Sequence, residues 1–309
     1  MKRTKKLRRV GFIAGLLTTA MVLAGCGSDD GDNGDTAGDN GDNAAGGTIT
    51  MGYLPSWTDG LATAYLMKNI LEDEGYTVEM TELTEAAPLY QGLADGDVDI
   101  YPSAWSEATH VDYMDEHGDN IEDLATYYGG AVLTFAVPEY MDDVNSIADL
   151  QGQADRFDGR IVGIEPGAGL TRVTKESVMP TYGLDEDYQL QESSTTAMLA
   201  ELQTAIDNEE DIVVTLWRPF WANASFPVKD LEDPEGALGD PEGLHVLARD
   251  GFSDDFADVA EMLGNFEMTD EQFGTLEDLV VNEFGEGQEE EAVAQWLEDN
   301  PDFVDSLKG

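Results

Sequence analysis

Residues 48–80 have the sequence TITMGYLPSWTDGLATAYLMKNILEDEGYTVEM, in which a strand pattern, a helix pattern and a second strand pattern follow one another. Residues 48–54 alternate apolar and polar side chains, which is typical of a half-buried strand. Residues 59–74 carry apolar side chains at helical spacing, and Gly75 is a typical helix terminator. Residues 76–80 are the second predicted strand.

The alternation of strand and helix patterns continues along the chain. Residues 86–94 predict a second helix and residues 98–101 a third strand. We expect Thr58 or Asp59 to be the N-cap of the first helix, because short polar side chains can accept its free amide hydrogens. Strand, helix, strand, helix, strand is the order of a parallel sheet wound with crossover helices.

The middle of the chain predicts a second wound sheet. Its most apolar runs are residues 131–137, 160–164 and 211–216, with helical patterns between them. Residues 131–137 and 245–249 predict two crossings between sheets. We therefore expect an α/β fold of two lobes, each a wound sheet flanked by helices, with a ligand cleft between the lobes. The predicted boundaries are 48–132 plus 246–309 for lobe I and 133–245 for lobe II.

The N-terminal residues predict export. Residues 1–25 combine a basic start with an apolar run that is short for a membrane span, as in a cleavable signal peptide. The run ends in LAGC, which resembles the lipobox of bacterial lipoproteins and would make Cys26 the lipidated first residue. A retained signal anchor with an incidental cysteine is the alternative. Residues 26–47 are mostly Gly, Asp, Asn and Ala, which predicts a disordered acidic tether.

The charge balance is strongly acidic. The chain has 15 basic and 65 acidic residues, a net charge of −50. Nucleic acid and anionic membrane surfaces are therefore poor partners, and membrane contact is expected only through the lipid anchor. The acids are spread along the whole chain, which indicates a surface adapted to high salt, where counter-ions screen the repulsion.

Three of the five tryptophans follow predicted strands. They are Trp57, Trp105 and Trp217. Ligands of open α/β sheets bind beyond the carboxyl ends of the strands, so these side chains would face one cleft. A quaternary ammonium has no N–H to donate, but aromatic faces attract its diffuse positive charge. The alternative is that these tryptophans simply pack in the core.

Two features could hold a carboxylate at the other end of such a ligand. The stretch GAGL, residues 167–170, lies between a predicted strand and a helix, where free backbone N–H groups point outward. His110 lies five residues after Trp105 and can donate a ring N–H. Each feature alone is a weak signal, and His110 could equally be a local hydrogen-bonding residue.

Four stretches together resemble the glycine betaine-binding proteins of osmoprotectant ABC importers. The resemblance runs from about Thr48 to the C-terminus and implies a periplasmic-binding-protein-like fold. The four stretches are YLPSWTD (53–59), AWSEATH (104–110), GIEPGAG (163–169) and VTLWRPFW (214–221).

The resemblance also implies a function and a set of site residues. It implies an extracytoplasmic, lipid-anchored and monomeric receptor that delivers glycine betaine, or a similar zwitterionic quaternary-ammonium solute, to an ABC importer permease. The implied ammonium cage is Trp57, Trp105 and Trp217, and the implied carboxylate ligands are His110, Gly169 and Leu170.

The chain departs from the family pattern beside two of the tryptophans. Ser106 and Glu107 stand where Leu-Pro is usual, and Leu216 and Arg218 flank the third tryptophan. Glu107 could be a surface acid, or it could reach the cleft and favour a cation without a carboxylate. Choline therefore remains an alternative ligand, and carnitine and proline betaine are further alternatives for a binding protein of the same fold.

A surface-anchored hydrolase is the alternative from another class. The sequence contains no Gly-x-Ser-x-Gly motif and no Cys/His pairing. His110, His117 and His245 are the only histidines, and their spacing is not that of metal ligands. We therefore expect a binding protein without catalytic residues, metal or cofactor.

Overall fold

The computed structural model describes residues 46–308. The predicted signal peptide, Cys26 and nearly all of the predicted tether lie outside these residues. The strands are β1 (Thr48–Tyr53), β2 (Thr77–Glu82), β3 (Ile100–Ala104), β4 (Ile121–Pro138), β5 (Arg160–Val162), β6 (Gln189–Gln191), β7 (Val214–Arg218), β8 (Val228–Asp230) and β9 (Glu242–Arg249).

Helices cover most of the remaining chain. The α-helices are α1 (Thr58–Asp73), α2 (Ala86–Asp95), α3 (Val111–His117), α4 (Gly169–Val173), α5 (Met179–Thr181), α6 (Thr195–Asn208), α7 (Ala222–Ser225), α8 (Phe252–Asp255), α9 (Ala257–Gly264), α10 (Asp270–Asp278), α11 (Glu289–Asp299) and α12 (Phe303–Ser306). A π-helical turn joins α4 to α5 and another follows α10, and they cover Thr174–Val178 and Leu279–Phe284. Within residues 46–308, no helix is both long enough and apolar enough to span a bilayer.

The strands form a mixed sheet in the order β2-β1-β3-β9-β4-β7-β5-β6, with β8 also paired to β4. β1 is parallel to β2 and β3, and β5 is parallel to β6 and β7, as expected for two wound segments. The antiparallel strands β4 and β9 lie between these segments and pair with each other. The strand predicted at 131–137 covers only the second half of β4. The first half is less buried and includes exposed polar residues, so its sequence did not indicate a strand.

Two separate apolar cores lie against this sheet. The larger one includes β1, β3 and the C-terminal helices, with Trp296 of α11 fully buried in it. The smaller one consists of side chains between Phe135 and Leu238. The C-terminal helix α11 packs against α1.

Several local predictions are corrected by the structure. Trp57 occupies the N-cap position of α1, and no side chain caps this helix. Thr58 instead donates its hydroxyl to Glu277 at 2.7 Å, and Asp59 is buried. A cap requires a side chain that turns back to its own helix, whereas these two residues bond to distant parts of the chain. Trp217 lies within β7, one residue before its end.

Candidate ligand-binding site

One cavity brings together all six predicted ligand contacts. Its walls come from segments far apart in sequence, from the start of α1 to β7. The lining residues are Trp57, Asp59, Trp105, Thr109, His110, Leu133, Ile164, Ala168, Gly169, Leu170 and Trp217.

The three indoles are held by different contacts. The Trp57 ring stacks on the His110 ring at 5.7 Å and an interplanar angle of 18°. The Trp217 ring stacks on Phe220 at 4.0 Å and 19°. Trp105 follows the last residue of β3, where the strand end directs the chain toward the cavity. All three rings are buried, so their π-faces can act in an environment with little water.

The other two tryptophans lie elsewhere. Trp221 packs against Phe220 and Phe226 and does not line the cavity. Trp296 is fully buried, packs against Phe303 and donates its indole N–H to Thr275 at 3.0 Å. Trp221 therefore lies beyond Phe220 as seen from the Trp217 ring, and Trp296 is a core residue.

Asp59 is a cavity residue that the sequence analysis missed. Its Oδ2 accepts hydrogen bonds from Ser103 at 3.0 Å and from the Trp105 indole at 3.4 Å. Its Oδ1 is buried without a hydrogen-bond partner among the described residues. Burial raises the pKa of this carboxyl group, while the bonds from Trp105 and Ser103 lower it. One sequence signal could have identified Asp59 as a cavity residue. It is an acid two positions after Trp57, in the first turn of α1.

His110 is buried and electrically neutral. Burial, helped by nearby Arg172, lowers the pKa of the imidazole to about 3. Its Nδ1 lies 3.0 Å from the hydroxyl of Tyr90. Among residues 46–308, no group forms a hydrogen bond with Nε2, so this nitrogen is available to a ligand.

The glycine loop meets the His110 segment directly. α4 begins at Gly169, with Ala168 as an N-cap residue that has no side-chain cap, so the first helical amides are free to bind a ligand. A Cβ on Gly169 would overlap the carbonyl oxygen of Thr109, so only glycine allows this approach. The carbonyl of Gly167 accepts a hydrogen bond from Tyr113 at 2.7 Å.

The residues that depart from the family pattern lie outside the cavity lining. Glu107 accepts hydrogen bonds from the His245 ring at 3.1 Å and from the backbone N–H of Gly243 at 3.3 Å. The idea that Glu107 reaches the cleft and contacts a cation is therefore wrong. Arg218 pairs with Asp230 at 2.6 Å, away from the indole of Trp217.

Comparison with known proteins gives a consistent result. A family model described as the substrate-binding domain of ABC-type glycine betaine transport systems matches residues 47–299. The glycine betaine/carnitine transport binding protein GbuC of Listeria monocytogenes is 37% identical over 147 residues, which are 47% of this chain and 47% of that protein. The matched segment thus spans about half the length of this relative.

Solved structures extend the similarity over most of the chain. The glycine betaine/L-proline-binding protein ProX of Borrelia burgdorferi has a TM-score of 0.78 at 31% identity, covering 84% of this chain and 96% of that one. Lactococcal OpuAC in complex with glycine betaine has a TM-score of 0.77 at 30% identity, covering 85% and 99%. An ABC-transporter choline-binding protein in complex with choline has a TM-score of 0.76 at 25% identity, covering 84% and 91%. The predicted α/β fold of the periplasmic-binding-protein type is confirmed.

Proposed function

Because the chain belongs to the family of substrate-binding domains of ABC-type glycine betaine transport systems, we propose that it captures glycine betaine and delivers it to an ABC importer. The observation that carries this proposal is the cavity itself. It combines three indoles, one carboxylate, one neutral imidazole and free backbone amides around one space.

The aromatic walls suit the trimethylammonium group but are insufficient alone. Each face contributes about 0.5–2 kcal/mol, so three faces give roughly 2–6 kcal/mol. A micromolar site needs about 8 kcal/mol. The carboxylate end of the ligand must therefore be held as well, and His110 with the amides of Gly169 and Leu170 supplies uncharged donors for it.

Asp59 complements the cation. Its unpartnered Oδ1 is a buried acceptor beside the cage, and a cation in the cavity would compensate its cost of burial. This feature alone does not discriminate between glycine betaine and choline, since both carry the same trimethylammonium group. We rank glycine betaine ahead of choline because the donors of His110 and the glycine loop match a carboxylate, which choline lacks. Carnitine and proline betaine carry a carboxylate too and are the alternatives within the same class of ligand.

We assign the cavity to the junction of two lobes, with 48–132 and 246–309 in lobe I and 133–245 in lobe II. Two observations support this division. The smaller apolar core lies entirely within 133–245, although the larger core draws on both ranges, and β4 and β9 run between the wound segments. The cavity lining also draws on both ranges, for example Trp57 from the first and Trp217 from the second.

We place the receptor outside the cytoplasm, as a monomer tethered by a lipid on Cys26. The support is the lipobox-like sequence LAGC and the acidic Gly-rich segment that follows it. Such a tether would let the binding unit diffuse near the permease while staying at the membrane.

Calorimetric titration of the purified protein in molar salt tests the proposed ligand. The panel is glycine betaine, proline betaine, carnitine, choline, tetramethylammonium and glycine. Glycine betaine should bind most tightly, tetramethylammonium should bind weakly through the cage alone, and glycine should not bind. Recovery of unchanged solute after incubation separates a receptor from a hydrolase. Equal binding of glycine and glycine betaine would contradict the proposal.

A further inference from the structure

Tyr90 lies behind His110 and has no part in the cavity lining. It belongs to α2 and is fully buried. Its ring stacks on Tyr113 at 5.1 Å and meets the edge of Tyr101 at 5.7 Å, so its position is fixed by packing on two sides. Its hydroxyl oxygen is 3.0 Å from Nδ1 of His110.

Two arrangements of protons satisfy this distance. Either the Tyr90 O–H donates to Nδ1 and the ring proton of His110 sits on Nε2, or Nδ1–H donates to the Tyr90 oxygen. Burial raises the pKa of Tyr90 well above its usual value, so the hydroxyl keeps its proton in both cases. The low pKa of His110 keeps the ring neutral, so only one of its nitrogens carries a proton.

The second arrangement leaves the Tyr90 proton without an acceptor. Among the described residues, His110 is the hydrogen-bond partner of the Tyr90 hydroxyl, and no other acceptor lies within bonding distance. Nε2 has no partner among the described residues in either arrangement, and His110 lines the cavity, so this nitrogen does not decide between them. The unpartnered Tyr90 hydroxyl of the second arrangement therefore favours the first by about 5- to 150-fold, the ratio that corresponds to a buried donor without a partner.

We propose that Tyr90 is a positioning residue that holds His110 in the Nε2–H tautomer and thereby makes the cavity selective for solutes with a carboxylate. In this tautomer the nitrogen available to the ligand is a donor, which matches a carboxylate oxygen. In the other tautomer a lone pair would face the carboxylate and repel it. This inference rests on the proposed function, because it concerns recognition of the carboxylate of the same ligand.

Nitrogen NMR of the ligand-free protein tests the tautomer without any solute. Imidazole ¹⁵N shifts distinguish a protonated nitrogen from one with a lone pair, and a His110→Gln variant identifies the His110 signals. We expect protonated Nε2 and unprotonated Nδ1 in the wild type, and a mixture of tautomers in Tyr90→Phe. Protonated Nδ1 in the wild type would overturn the proposal, whatever the protein binds.

Titrations with glycine betaine and choline then test selectivity. Tyr90→Phe should weaken glycine betaine binding about twofold when the two tautomers become equally populated, because only the Nε2–H form donates to the carboxylate. Choline binding should stay the same within the error of the titration, since choline presents no carboxylate. Tyr101→Phe is the matched control, because it removes a neighbouring buried hydroxyl that does not bond to His110.

The outcomes separate the two proposals. Equal weakening of both solutes in Tyr90→Phe would mean that Tyr90 acts only through packing, and would overturn its role in selectivity. Failure of the wild type to bind either solute would reject the proposed function, while the NMR result would still decide the tautomer. Equal loss of selectivity in Tyr101→Phe would also contradict the inference.

Discussion

The three cage indoles differ in what their N–H groups contact. Trp57 donates to Glu165 at 3.3 Å and Trp105 donates to Asp59 at 3.4 Å. The indole nitrogen of Trp217 is buried without a partner among residues 46–308. Replacing each indole by an aromatic ring without an N–H therefore removes a hydrogen bond at Trp57 and Trp105 but none at Trp217.

Substitutions at the three predicted cage tryptophans should show how much of the affinity comes from aromatic π-faces and how much from apolar contact alone. Alanine at Trp57, Trp105 or Trp217 should each weaken glycine betaine binding by about 1–3 kcal/mol. Phenylalanine should recover much of this loss, most completely at Trp217, whereas leucine should not. Alanine at Trp296, the core control, should reduce the free energy of unfolding more than affinity. If leucine binds the solute as well as phenylalanine does, the cavity is an ordinary apolar pocket.

Glu277 is a buried acid on α10 that shares the electrostatic environment of Asp59. It accepts a hydrogen bond from Thr58 at 2.7 Å, and burial raises its pKa to about 8. An ordinary glutamate titrates near 4.5, which we take for the unfolded chain. Between these values the folded protein binds one proton more than the unfolded chain, so the free energy of unfolding falls as pH rises.

Glu277→Gln should remove this part of the pH dependence. The wild type should lose stability between pH 5 and pH 8 with a slope of at most about 1.4 kcal/mol per pH unit from this residue. The free energy of unfolding of the variant should change less with pH than that of the wild type, and near pH 8 it should be the larger of the two. Urea unfolding in high salt at several pH values measures this, with Glu271→Gln on the exposed side of the same helix as control. Parallel pH profiles of wild type and Glu277→Gln would refute it.

Among the elements, the segment before α3 is clamped from two sides. The carboxylate of Glu242 on β9 accepts the backbone N–H groups of Ala108 at 3.0 Å and Thr109 at 3.2 Å. Arg172 of α4 donates to the carbonyls of Ala108 at 3.0 Å and Thr109 at 3.3 Å. These bonds bring Thr109 against Gly169, so the loop that carries the imidazole and the glycine loop are positioned together.

Gly169→Ala should disturb this junction. The added methyl would lie 2.8 Å from the carbonyl carbon of Thr109 and closer still to its oxygen, and backbone atoms clamped on both sides have little room to move. Overpacking of this size costs about 1–3 kcal/mol. We expect glycine betaine affinity to fall by a corresponding factor in titrations. Gly274→Ala is the control, because its added methyl meets nothing within 4 Å. Unchanged affinity in Gly169→Ala would contradict the proposed close contact between Gly169 and Thr109.

At the scale of the whole molecule, the excess of acidic residues has the largest expected effect on stability. The 15 basic residues cannot neutralise 65 acidic ones. Arg156 and Arg249 each pair with two carboxylates, at distances from 2.5 to 2.7 Å, and two of these four acids, Asp143 and Asp255, are solvent-exposed. Such surface pairs contribute little, so the repulsion between the remaining acids opposes folding.

Stability should therefore rise steeply with salt. The screening length falls from about 10 Å at 0.1 M to about 3 Å at 1 M, which removes most of the repulsion between exposed acids. The melting temperature should increase over this range, while affinity for a net-neutral solute should change less. Calorimetry in NaCl measures this, and an uncharged osmolyte at equal osmolality is the control for general exclusion effects. A melting temperature independent of NaCl would contradict the prediction.

The proposed anchor gives a second test on the whole protein. Cys26→Ser should release the protein from the membrane fraction, because the thiol that would carry the lipid is absent, and should leave solute affinity unchanged. Ser28→Ala, two residues away, is the matched control and should remain attached. Firm attachment of Cys26→Ser after fractionation would mean that the N-terminal apolar run is a retained anchor.

Local sequence patterns were sufficient to predict the wound α/β fold, the three tryptophans, His110 and the glycine loop, and the family resemblance then implied Gly169 and Leu170 within that loop. Strand ends, glycine loops and aromatic side chains depend on neighbours within a few positions, so they can be recognised without knowing the topology. The helix bounds of α1 and the capping box at Thr269 follow from the same short-range physics.

Only the tertiary structure decided the partners of the buried polar groups. Asp59 has the sequence signature of a helix cap, yet it contacts Ser103 and Trp105 across the sheet. The tautomer of His110 depends on Tyr90, twenty residues away, and Glu107 bonds to His245 across 138 positions. A buried polar group bonds to whichever partner the chain topology brings next to it. No local sequence pattern indicates which residue that partner is.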